Sequence, residues 1–216
     1  MNRTHLANAI FALVLAACLS AGGFAQQLHD TLQVAVTHPE LRNELLAMEV
    51  ADQEIRDRLV ALSSAKPFDA AAFGATLKSM DSIDAGHADV LKGILRRYGW
   101  PGNSMVGRDG EEAAFLFVQH DDKDTAFQSR CLGLVQKAYE AGEATGQDIA
   151  LLTDRILVHR GQRQRYGSQA KIVAGKIVVD PIEDEANVDK RRAALGLPPM
   201  KEYLEAFRKF YHLEGK

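Results

Sequence analysis

Between Glu40 and Leu62 the apolar residues Leu41, Leu45, Met48, Ile55, Leu59 and Leu62 recur at steps of three, four and seven. That spacing belongs to one face of an α-helix, whereas a strand repeats every two residues. The series lacks one member, and Asp52 stands in the gap. A carboxylate on an apolar stripe is costly to bury unless it is paired, protonated or bound to a cation. Arg56, one helical turn further on, is the natural partner. A structural salt bridge is the first expectation for Asp52 and a functional role the second.

The same periodicity organises most of the chain beyond this helix. Ser63 to Pro67 reads as a linker and Asp69 to Ser79 as a short helix. From Ala85 to Tyr98 a helix presents Val90, Leu91, Ile94, Leu95 and Tyr98, with His87 on the same face; Gly99 suits its C-terminal cap and Pro101 prevents continuation. Gly102 to Gly107 reads as loop. Asp109 with Glu112 has the spacing of a capping box, opening a helix whose face carries Ala113, Leu116, Phe117 and His120. Further helices are expected over Thr125 to Ala141 and from Thr145 to Val158 or His159. Lys171 to Val179 alternates around Gly175-Lys176, as a small β-hairpin would. A short helix over Asn187 to Leu195 and a last one carrying Met200, Tyr203, Leu204, Phe207 and Tyr211 complete a mainly α fold.

The first 25 residues have the pattern of an export signal. Ala7 to Leu19 is apolar apart from Asn8, too short for a membrane span of ~20 residues, and Gly23 and Ala25 occupy the usual cleavage positions. Leu15-Ala16-Ala17-Cys18 offers a second reading, a lipobox in which residues 1–17 are removed and Cys18 carries the lipid. A retained anchor helix is a third. All three place the protein outside the cytoplasm, periplasmic or anchored to the cell envelope. Residues 26–39 then form a lead-in, and 40–216 a single helical domain, at roughly 150 residues per domain. The net charge of −3 over the chain argues against a nucleic-acid partner. Membrane contact is expected only through a lipid on Cys18. Cys131 would be the one cysteine left after cleavage at Ala25, and it lies on a stripe with Phe127, Leu134 and Ala138, the place of a small buried hydrophobe.

Several familiar catalytic motifs are absent from the sequence: Gly-x-Ser-x-Gly, His-Glu-x-x-His and Cys-x-x-Cys. Gly102 and Gly107 have P-loop spacing, but Arg108-Asp109 follows where Lys-Ser/Thr is needed. Polar residues on otherwise apolar helix faces carry the remaining signal. His87 and His120 each close such a stripe, and Asp154 touches the apolar face of its helix beside Arg155. Asp84-x-x-His87 is reminiscent of the Glu-x-x-His of bundle metal sites. Those sites need more carboxylates at regular spacing, so no residue is assigned as a metal ligand. Gln164, Tyr166 and Gln169 are placed to bond a ligand or to satisfy loop backbone. Trp100, the single tryptophan, suits a ligand wall or a core plug.

Taken together these pieces resemble a bacterial family known as domain of unknown function 6624. The matching residues are Asp52-Gln53-x-x-Arg56, Leu91-Lys92 leading to Gly99-Trp100-Pro101, Val106-Gly107, and Gln119-His120-x-Asp122-x-Asp124. Phe127-Gln128, Leu152-Thr153-Asp154-Arg155, Gln164-x-Tyr166-Gly167-Ser168-Gln169 and Val188-Asp189-x-x-Arg192 through Gly196-Leu197-Pro198-Pro199 continue it. The resemblance runs from about Leu41 to Tyr203. It implies a mostly helical domain, exported or cytosolic, and no particular activity. The family usually has Thr at the place of Ser168 and often Asn at that of His87, which shifts functional weight from His87 to His120.

The sequence thus leads to a polar centre on a helical domain. His120, Asp154, Arg155 and Asp52 are its candidate catalytic residues, and Gln53, Arg56, Gln119, Trp100, Tyr166 and Gln169 its candidate ligand contacts. The leading expectation is a ligand-binding or interaction module of the cell envelope that meets a small polar ligand or an envelope protein. The alternative is a hydrolase-like enzyme with His120 as general base, oriented by Asp52 or Asp154. No cofactor is assigned.

Overall fold

The computed structural model describes residues 36–173, 175–211 and 213. The expected export signal, including Cys18, lies outside the described residues, as does most of the lead-in. Seven α-helices and a two-stranded hairpin make up the described chain. No helix among the described residues is long and apolar enough to cross a membrane. One compact unit ends at Ala144 and a second begins at Thr145.

The first unit is a helical assembly. Helix α1 spans Pro39–Ser64 and buries Leu41, Leu45 and Leu59, members of the stripe seen in the sequence, together with Asp52 and Arg56. Helix α2 spans Ala70–Tyr98, with the Asp69 carboxylate accepting from the Ala71 and Ala72 N–H groups at its start. The spacing predicts two helices in this region, over Asp69 to Ser79 and Ala85 to Tyr98. They are one, because no proline or glycine in Met80 to Asp84 stops the chain, and Ile83 and Met80 continue the helix. Helix α3, Asn103–His120, also starts earlier than expected. The break read as a loop is confined to Gly107, whose φ of 77° suits glycine alone. Asp109, expected as a cap, is instead gripped by the Arg42 guanidinium, with Nε at 2.8 Å. Helix α4, Thr125–Glu140, is capped by Asp124 through the Phe127 N–H. Helix α1 packs on α2 and α3, and α4 packs on α3. Leu91, Phe115, Phe117, Val118, Phe127, Cys131 and Val135 are buried with the α1 leucines. Burial pushes the Cys131 thiol up to about 12, so it stays protonated and behaves as a small hydrophobe.

The second unit opens with α5, Gly146–His159, under a complete capping box made by Thr145 and Asp148. Gly146 is required by packing: a Cβ there would lie 2.0 Å from the Leu195 carbonyl oxygen. Strands β1, Ala170–Val173, and β2, Lys176–Val179, form the expected antiparallel hairpin, with Ile172 opposite Ile177. A 3₁₀ turn at Glu185–Asn187 leads into α6, Val188–Ala193, and the chain ends its described helices with α7, Met200–Phe210.

Candidate functional site: an aspartate–arginine–histidine cluster

Three helices of the first unit converge on one polar cluster. Asp52 and Arg56 stand one turn apart on α1, Asp84 comes from α2, and His120 is the last residue of α3. Their side chains are nearly dry, with exposures of 1% for Asp52, 6% for Arg56, 12% for Asp84 and 7% for His120. Such charges persist in a low-dielectric setting only by answering one another.

Arg56 is the hub. Its Nη2 donates to Asp52 Oδ1 at 3.0 Å and to Asp84 Oδ1 at 2.7 Å. Its Nη1 points at the Met80 sulfur, 2.9 Å away. Its Nε lies 3.2 Å from Asp52 Oδ2 and 3.1 Å from His120 Nδ1. The same Nδ1 is 2.9 Å from Asp52 Oδ1. One ring nitrogen cannot both accept from Arg56 and donate to Asp52. A bare lone pair at 2.9 Å from a carboxylate oxygen would be repelled, so the proton belongs on Nδ1, aimed at Asp52, and the Arg56 Nε–H serves Asp52 Oδ2. In the neutral ring Nε2 is then the basic nitrogen. Gln53 adds a further donor to Asp52, at 2.8 Å.

The two carboxylates fare differently. Burial pushes Asp52 upward, but His120 and Arg56 outweigh it and hold its carboxyl below the usual value. Asp84 receives a single N–H from a guanidinium already committed to Asp52. Burial, helped by the Asp52, Asp122 and Asp81 charges, pushes it up to about 7 against the pull of Arg56. His87, one turn beyond Asp84, packs its ring on Phe117 with centroids 4.6 Å apart. Its Nδ1 is buried without a partner among the described residues, and burial lowers its pKa. Asp52, Asp84 and His120 offer ligand atoms within 4.8 Å of one another, a set able to hold a metal ion. The Arg56 guanidinium bridges the two carboxylates, however, and so takes the position of the cation they would share.

Trp100 donates its indole N–H to Glu111 at 2.9 Å, and Glu111 is fully buried. Gln119 is fully buried, and neither end of its side-chain amide is bonded among the described residues. In the second unit Asp154 is fully buried, and its carboxylate receives the backbone N–H groups of Arg165, Tyr166 and Ser168 and the Ser168 hydroxyl. Burial pushes Asp154 upward while these loop donors pull the other way. Gln164 and Gln169 also serve the backbone: Gln164 Nε2 donates to the Gln169 and Asp180 carbonyls, and Gln169 Nε2 to that of Leu151. The Tyr166 carbonyl accepts from Arg192 at 2.7 Å. Arg155 is buried on α5. Asp52, Gln53, Arg56 and His120 therefore meet in one unit, and Asp154, Tyr166, Ser168 and Gln169 meet in the other.

Asp84 and Glu111 are not among the site residues that the sequence singles out. The Asp84-x-x-His87 spacing is visible, but with a helix starting at Ala85 Asp84 has no face to belong to. Glu111 carries no signal beyond its distance from Trp100.

The chain belongs to the family of unknown function DUF6624, whose model matches residues 39–216. No curated protein and no solved structure matches it.

Proposed function

We propose that this member of DUF6624 is an exported protein that holds a small polar ligand at His120 and performs hydrolase-like acid–base chemistry on it. The observation that carries the reading is the 2.9 Å contact between His120 Nδ1 and Asp52 Oδ1. A carboxylate so placed sets the ring tautomer, leaves Nε2 as general base and stabilises the imidazolium once the base has taken its proton. Arg56 does not serve as an anion clamp in this scheme, because its donors already hold Asp52 and Asp84. Asp154 takes no step, since its oxygens hold the loop that follows α5. The apolar run of residues 7–19 supports export.

A second reading is a binding module in which the cluster is purely structural. The low exposure of all four side chains favours it. A panel of chromogenic esters, amides and phosphoesters separates the two. The enzyme reading expects turnover of at least one class by the wild type, and its loss in a folded His120→Gln variant. Turnover by neither protein, with a small molecule raising the melting temperature of both equally, assigns the binding module.

A further inference from the structure

We infer that Asp84 is a positioning residue for His120: by dividing the Arg56 guanidinium with Asp52, it sets how strongly Asp52 holds and polarises the imidazole. The inference rests on the acid–base reading of the cluster. One nitrogen, Arg56 Nη2, reaches both carboxylates, and the other terminal nitrogen is turned to the Met80 sulfur. While Asp84 is ionised, the guanidinium serves two anions, and Asp52 keeps more of its charge for the His120 N–H. Once Asp84 takes a proton, the guanidinium charge falls to Asp52 alone, and the imidazole faces a weaker acceptor. The His120 ring is therefore more basic when Asp84 is charged, both through Arg56 and through the direct field of a carboxylate whose oxygen lies within 4.8 Å of a ring nitrogen.

Among the described residues, few charged groups face Asp84. Helix α1 supplies Asp52 and Arg56, and α3 supplies His120. The turn after α3 supplies Asp122, and α2 itself supplies Asp81, with His87 three residues further along the helix. Asp81 is already bridged to Lys123 at 2.7 Å. Arg56 is thus a cation in direct contact with Asp84, so a change of charge on Asp84 is felt by what else Arg56 holds. Burial among these carboxylates brings the Asp84 titration to about 7, where the exchange operates at neutral pH. Protonation of His120 and of Asp84 then oppose each other as coupled steps of one cluster.

The test is an NMR titration of the histidine ring nitrogens in the full chain between about pH 5 and 9, on wild type, Asp84→Asn, Asp84→Glu and the control Asp81→Asn. The wild-type His120 curve should be broader than a single-site titration. In Asp84→Asn it should narrow to one site and its midpoint should fall by roughly one unit, the effect of removing a carboxylate at this range. Asp84→Glu should restore part of the shift, and Asp81→Asn should leave it in place. A His120 curve of single-site shape in the wild type overturns the inference, even if Asp84→Asn fails to fold. An unchanged midpoint in a folded Asp84→Asn overturns it as well. The ring reports its proton with or without turnover, so loss of the enzyme reading shows separately, as an inactive wild type with the coupled titration intact.

Discussion

Arg56 on α1 donates to Asp84 on α2 at 2.7 Å through the same nitrogen that meets Asp52 at 3.0 Å. The cluster therefore contains more carboxylate than guanidinium, and the shortfall lands on Asp84. Asp52 has the wider grip of Arg56 together with the imidazole N–H, and a shared cation cannot satisfy both acids equally.

The first prediction concerns stability against pH. Asp84 in the fold titrates at about 7, above the ordinary aspartate value of 3.8. Between those values the native state holds a proton that the unfolded chain has lost. This contribution is therefore greatest in acid and declines as pH rises through 7, by at most about 1.4 kcal/mol per unit. Asp52 acts in the opposite sense, because its value is lowered, and its contribution is lost only as pH falls below the ordinary carboxylate range. Urea midpoints for the wild type should fall from pH 5 to pH 8, and those of Asp84→Asn should be flatter. Equal slopes in the two proteins would remove Asp84 from the account.

The spacing of Asp52 predicts a buried, paired carboxylate, and it is paired with both an arginine and a histidine. Asp52→Asn should destabilise the fold by roughly 3–5 kcal/mol, because Arg56 and His120 lose the charge they answer. Asp52→Leu should cost less, since Arg56 keeps Asp84 and no half-satisfied amide is left in the cluster. Chemical denaturation measures both. A change below about 0.5 kcal/mol in each would mean that Asp52 makes no effective pair.

Asp154 gives a sharper local outcome. Its oxygens terminate the N–H groups of Arg165, Tyr166 and Ser168. In Asp154→Ala these donors are orphaned, at about 1–3 kcal/mol for each that stays buried. Hydrogen exchange should show protection lost at those three amides before it is lost in the interior of α5. Unchanged exchange there would contradict the loop-holding role.

Metal ions provide a fourth test. Arg56 bridges Asp52 and Asp84 where a cation between them would sit. Adding Zn²⁺ or Mn²⁺ to the wild type should leave its melting temperature unchanged, because an ion must first displace the guanidinium. Arg56→Ala should unmask the Asp52, Asp84 and His120 donors and make the melting temperature respond to metal. Tight stoichiometric binding by the wild type would show that Arg56 yields.

The sequence by itself determined what is local. Helix periodicity, the start of a helix at Thr145 and the Gly99 stop act within one or two turns, and each is present in the structure. The hairpin was legible for the same reason, as a short alternation around a turn. The Asp52–Arg56 pair was legible because both residues lie on one helix at a separation of four. Tertiary structure alone decided the rest. His120 lies 68 positions from Asp52, and Arg56 lies 28 from Asp84. Whether those side chains meet depends on how α1, α2 and α3 rotate about their own axes as they pack. An apolar stripe constrains that rotation to a face, whereas a hydrogen bond requires it to within a fraction of a turn. The division of one guanidinium between two carboxylates, and the unequal acidity that results, arises only once all three helices have closed around it.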